Sequence, residues 1–161
     1  MVVSFKLALN EKLIAVKESC QNYHNAITEL GNLLLKQGFV TEEFIKATLE
    51  RERKYPTGLP TKIGVAIPHP PPDPKYIKKN SIAIGIYKEP VYFRRMDDPE
   101  QTVPVNIVIL FALKEEEGYV KFLKNLMFLI QKSDILENII KTKSRKEIAE
   151  ILRKELKEYI L

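Results

Sequence analysis

The chain holds a single cysteine, Cys20, in 161 residues, so no internal disulfide can form and a reducing compartment, the cytoplasm, fits best. Histidine is almost as scarce. With two His and one Cys a closed zinc site would need carboxylates to complete it, and no ligand spacing typical of one is present, so neither a metal nor a cofactor is expected. No apolar run approaches the roughly 20 residues that a membrane helix needs; Val105 to Leu113 is far too short and carries Asn106. The opening Met-Val-Val-Ser-Phe-Lys lacks the long apolar stretch of a secretory signal. Aromatic-rich strands of an RNA-binding sheet and a helix-turn-helix are missing too. Lys plus Arg exceed Asp plus Glu by 26 to 21, a net charge of +5, but the signs interleave and Glu115-Glu116-Glu117 interrupts the basic stretches, so no nucleic-acid partner is expected. Without an internal repeat or a domain-sized linker, residues 1–161 read as one domain, able to bury roughly two-thirds of the surface of its unfolded chain.

What the chain does have is a concentrated motif, Tyr55-Pro-Thr-Gly-Leu-Pro-Thr-Lys-Ile-Gly-Val-Ala-Ile-Pro-His69. Val65, Ala66 and Ile67 read as a short buried strand, and Pro68 biases Ile67 toward extended geometry, so the chain reaches the histidine without turning helical. Pro70, Pro71, Pro72 and Pro74 follow, each fixing φ and removing a donor. An imidazole displayed in this way has few positions open to it. With an unperturbed pKa of about 6.5, about three-quarters of such rings are neutral at pH 7 and offer a free nitrogen for attack. His24 has no strand-end, glycine or proline context and reads as structural or surface; Cys20 reads as a small packing residue.

The flanking pattern alternates helices and strands. Val2 to Leu9 suggests an edge strand. From Asn22 a helix places Ile27, Leu30 and Leu34 on one face and stops at Gly38; Thr41 then caps a second, with Glu42 and Glu43 in its first turn. Ser81 to Tyr87 and Val91 to Phe93 read as two strands joined at Lys88-Glu89-Pro90, and Val103 to Leu113 as a longer strand covered on both faces. After Glu115-Glu116-Glu117-Gly118 come a helix carrying Leu123, Leu126, Met127 and Ile130, a short helix from Ser133, and a last one with a capping box of Ser144 and Glu147. The expected fold is α/β, a three-layer αβα sandwich in which a small mixed β-sheet is flanked by helices on both faces.

Thr57-Gly58-Leu59 followed by Gly64-Val65-Ala66-Ile67-Pro68-His69 resembles the active-site signature of the mannitol/fructose-type enzyme IIA domains of the bacterial sugar phosphotransferase system, and Tyr55 to Leu59 is similar to the galactitol-type branch. The resemblance covers nearly all of the chain and implies the same three-layer fold. It further implies that His69 takes a phosphoryl group from the histidine phosphocarrier protein and passes it to a cysteine of a sugar-specific IIB component, with only indirect contact with the membrane through the transporter. Arg51 matches the arginine of the family's Arg-Glu pair and is the expected phosphoryl-binding cation, because a guanidinium fork donates parallel hydrogen bonds to phosphate oxygens; Arg53 is the alternative. The Thr57 hydroxyl is a further candidate. Gly58 and Gly64 either let backbone approach the phosphate or serve as turn residues. Tyr119 stands where many relatives carry a second histidine, and is either a hydrogen-bond donor to the phosphoryl group or an aromatic packed at a helix start. Its presence and the proline-rich exit keep a second function open, a regulatory module that signals through its phosphorylation without feeding a transporter.

Overall fold

The computed structural model describes residues 5–161. Five strands form one mixed sheet in the order β1-β4-β5-β3-β2, with β1 Ile14–Lys17, β2 Gly58–Leu59, β3 Val65–Ala66, β4 Ser81–Arg94 and β5 Thr102–Ala112. β4 runs parallel to β1 and antiparallel to β5, β3 is parallel to β5, and β2 is antiparallel to β3. The helices are α1 Tyr23–Lys36, α2 Phe44–Lys54, α3 Tyr119–Ile130, α4 Ser133–Lys141 and α5 Arg145–Glu155. Ile82 and Ile84 of β4 and Ile107 and Ile109 of β5 meet the apolar sides of α3, α4 and α5. α1 packs on β4 and β5 and carries α2 beside it, and its Tyr23 ring lies 5.7 Å from that of Phe93. Strands buried on both faces read as near-continuous apolar runs, which is how Ile107 to Leu113 appears.

Local chemistry sets the helix ends. The Asn22 side chain accepts the Asn25 N–H at 2.9 Å, and α1 gives way to Gly38 at φ 76°, a left-handed conformation that glycine adopts without steric cost. Gly118, at φ 93°, similarly turns the chain into α3. The Ser144 hydroxyl caps α5 by accepting the Glu147 N–H at 3.2 Å. Its partner in the expected capping box goes elsewhere, since the Glu147 carboxylate takes the Thr142 hydroxyl.

Three expected elements differ. Of Val2 to Leu9, residues 2–4 lie outside the described residues; the remainder forms only isolated bridges, Leu7 with Ile160 and Ala8 with Ser81. Phe5, Leu7, Ala8 and Leu9 are all buried and only Lys6 is exposed, because this segment is enclosed between the start of β4 and the C-terminal residues. The edge strand is instead β1. Thr41 does not cap α2: its hydroxyl donates to the Lys75 carbonyl at 2.9 Å, and Glu43 at the N-cap makes no side-chain cap bond. Finally, Ser81 to Arg94 is one strand with an irregularity between Ile86 and Val91. The Asn106 amide donates to the carbonyls of Tyr87 and Lys88 at 2.9 and 3.2 Å, satisfying groups that the ladder leaves free. Pro90, which has no N–H to offer, falls in that irregular stretch.

Candidate active site

β3 delivers the histidine. Val65 and Ala66 pair with Ile107 and Val108, the Pro68 carbonyl accepts the Phe111 N–H at 3.0 Å, and the His69 ring stacks on that of Phe111 with centroids 5.9 Å apart at 28°. The His69 Nδ1 lies 2.8 Å from the Ile67 carbonyl oxygen. A carbonyl can only accept, so Nδ1 carries the proton and Nε2 the lone pair. Burial pushes the imidazole pKa below its ordinary value; the Ile67 hydrogen bond opposes the shift and the positive charge of Arg51 adds to it. At neutral pH the ring is uncharged, in a defined tautomer, with a lone pair on Nε2.

His69 opens on a cavity of about 270 Å³ together with Arg51, Phe111, Glu115 and Tyr119, with Pro70 and Pro72 on its wall. Arg51 comes from the last turn of α2 and Tyr119 from the first turn of α3. The Arg51 guanidinium carbon sits 5.2 Å from the centroid of the Tyr55 ring, and its Nε is buried without a hydrogen-bond partner among the described residues. A buried charge-bearing donor left unpaired is costly unless a ligand completes it. Tyr119 is half-buried, its ring packed edge-on to that of Phe5 with centroids 6.3 Å apart. Burial and the nearby Glu115 raise its pKa, with Arg51 acting against them, so the phenol keeps its proton and can donate. Packing at a helix start and access to the cavity are thus combined in one side chain.

The other candidates fall outside the cavity. The Thr57 hydroxyl donates to Glu52 Oε1 at 2.7 Å and the Thr57 N–H to Glu52 Oε2 at 2.8 Å, so the Thr57 side chain is buried against α2. Gly58 and Gly64 answer to packing: a Cβ on Gly58 would lie 2.7 Å from the Arg94 carbonyl oxygen, and one on Gly64 only 1.8 Å from that of Pro104. Neither has positive φ. Arg53 is exposed, with its backbone carbonyl taken by the Arg94 guanidinium. His24 lies exposed on α1, and Cys20 is partly buried with its thiol 3.5 Å from the Asn22 carbonyl.

Glu52 was not anticipated. It is 3% exposed, and burial lifts its pKa to about 7 against the hydrogen bonds from Thr57 and the charges of Arg94 and Arg51. The run Arg51-Glu52-Arg53-Lys54 reads as a solvated helix end, but Phe44, Thr48 and Glu52 recur every fourth residue and share the buried face of α2. That spacing was the available signal.

A family model described as phosphoenolpyruvate-dependent sugar phosphotransferase system, EIIA 2, matches residues 7–155. The chain is 30% identical over 115 residues to the galactitol-specific EIIA component of Escherichia coli (strain K12), covering 71% of this chain and 75% of that protein. It is 30% identical over 149 residues to the mannitol-specific EIICBA component of Buchnera aphidicola subsp. Acyrthosiphon pisum (strain APS), covering 91% of this chain and 22% of that longer protein. Among solved structures, the complex of enzyme IIAMTL and phosphorylated enzyme IIBMTL from Escherichia coli contains a chain of the same fold, with TM-score 0.70, 22% identity and coverage of 94% and 98%. With 7–155 of its residues matched, the chain belongs to the EIIA 2 family of the phosphoenolpyruvate-dependent sugar phosphotransferase system.

Proposed function

We propose that His69 is a phosphoryl way station: Nε2 accepts the group from the phosphohistidine of the histidine phosphocarrier protein and yields it to a cysteine thiolate of a sugar-specific IIB component, in the cytoplasm, in support of sugar or hexitol uptake. The observation that carries this reading is the pairing, on one cavity, of a neutral imidazole protonated at Nδ1 with the Arg51 guanidinium, whose buried Nε has no hydrogen-bond partner among the described residues. In the first step the Nε2 lone pair forms the new P–N bond while the donor's P–N bond breaks and its imidazole leaves with the electron pair. The proton stays on Nδ1, donated to the Ile67 carbonyl oxygen, which accommodates the positive character of the phosphorylated ring. In the second step the thiolate attacks phosphorus and His69 departs neutral, so neither step needs a base. Such transfers are accelerated mainly by positioning and by charge complementary to the phosphoryl oxygens. Arg51 supplies the charge and Tyr119 an uncharged donor. The solved complex of a IIA with a phosphorylated IIB supports a IIB partner.

The test is incubation with phosphoenolpyruvate, enzyme I and the phosphocarrier protein, followed by intact-mass measurement and site mapping. One phosphoryl group is expected on His69, lost in His69→Ala and kept in His24→Ala. Phosphorylation that persists in His69→Ala overturns the assignment. A phosphorylated protein that holds its group against every IIB component encoded beside it is the regulatory module instead.

A further inference from the structure

We infer that Glu52 is a positioning residue for His69, acting through Thr57 and Ile67. The path is continuous in hydrogen bonds. The two carboxylate oxygens of Glu52 accept the Thr57 hydroxyl and N–H at 2.7 and 2.8 Å. The Thr57 carbonyl accepts the Ile67 N–H at 3.4 Å. The Ile67 carbonyl accepts the His69 Nδ1–H at 2.8 Å. Ile67 is therefore held at both ends, by the strand that Glu52 anchors and by the imidazole it orients. Packing alone does not account for a carboxylate here. An apolar side chain on the buried face of α2 would fill the space without the desolvation cost that a carboxyl group carries, whereas Glu52 is matched atom for atom to two donors of one residue. The same residue is the chain neighbour of Arg51, so one anchor sets the end of α2 that carries the cavity's guanidinium and the loop that ends in its nucleophile. Thr57 thus serves the site through its backbone and through Glu52, not by touching the transferred group.

This inference rests on His69 being the nucleophile, and its primary readout does not depend on transfer. The measurement is the imidazole nitrogen chemical shifts of His69 at about pH 8, where the ring is neutral, alongside the rate of phosphoryl uptake at a temperature where each variant is folded. The wild type should show the Nδ1–H tautomer predominating. Glu52→Ala should show a mixture of tautomers and take up the phosphoryl group about tenfold more slowly or worse, the cost of a displaced nucleophile. Glu52→Gln should keep the wild-type tautomer and a rate within about threefold, because its amide can accept the Thr57 N–H and donate to a hydroxyl turned the other way. Thr57→Val, nearly isosteric, should lie between the two. A folded Glu52→Ala with the wild-type tautomer and rate overturns the inference. So does failure of Glu52→Ala, Glu52→Asp and Thr57→Val alike to fold, which would make Glu52 a stability residue only. If the wild type takes up no phosphoryl group, the proposed function falls while the tautomer comparison still decides the role of Glu52.

Discussion

Replacing Glu52 by Gln should change how stability responds to pH, and the size of the change follows from the burial of the group. An unfolded glutamate titrates near 4.5, and the folded Glu52 near about 7. Between those values the unfolded chain has given up a proton that the folded chain retains, so folding takes up a proton and stability falls as pH rises. Each unit of pKa difference is worth about 1.4 kcal/mol, so the loss attributable to Glu52 across this window is about 3 kcal/mol. Glutamine keeps both hydrogen bonds to Thr57 and does not titrate. Urea unfolding of both proteins at about pH 4.5, 5.5, 6.5 and 7.5 therefore gives a difference, wild type minus variant, from which every other titrating group cancels. The expected result is a difference that drops by about 3 kcal/mol over the series and levels off only above about pH 8, once the folded Glu52 is ionised. A difference constant within about 0.5 kcal/mol, or one that grows with pH, refutes the reasoning; growth would mean that Arg94, Arg51 and the Thr57 donors outweigh desolvation.

Removing the cavity's cation by Arg51→Ala should slow phosphoryl uptake about 100-fold with little change in melting, since its Nε has no hydrogen-bond partner to lose among the described residues; Arg51→Lys should recover part of the rate, and wild-type rates in both variants would exclude the role. Tyr119→Phe preserves the ring against Phe5 and removes only the hydroxyl, so stopped-flow transfer should slow by about tenfold at unchanged melting temperature; an unaltered rate leaves Tyr119 with packing alone. Gly64→Ala drives a Cβ into the Pro104 carbonyl and should cost about 3 kcal/mol of stability by denaturant unfolding, whereas a loss under about 0.5 kcal/mol would show that the β3–β5 approach is slack.

The strand that ends in His69 was legible because its cues are local. Three apolar residues, a proline that forces extension and a row of prolines beyond admit few conformations. The long strand β5 was legible for a similar reason, as an unbroken apolar run. β4 misled because Lys88-Glu89-Pro90 has the composition of a turn, whereas the Asn106 side chain on one side and the Glu18 carbonyl on the other hold it in the sheet as an irregularity. Thr41 misled, since it has the residue type of a cap but spends its hydroxyl on the Lys75 carbonyl, which tertiary packing brings near; Thr57 spends its own on Glu52, five residues earlier in the chain. Glu52 was hidden in a run of four charged residues, since charge argues for solvent and only the four-residue spacing from Phe44 and Thr48 argued for burial. What escaped the sequence was the destination of polar side chains, which depends on what the fold sets opposite them.

The strand order has a bearing on solubility that lies apart from phosphoryl chemistry. The 14-residue β4 and 11-residue β5 occupy the middle of the sheet, while its rims are the 4-residue β1 and the 2-residue β2. Open rims are where sheets of separate molecules join, and short ones offer little ladder to extend. The apolar runs with the greatest capacity for self-association are thus capped by the briefest strands. Fraying of β1, a parallel pairing of only Ile14 to Lys17, would uncover Ile84 to Tyr87 of β4 and convert a harmless border into an adhesive one.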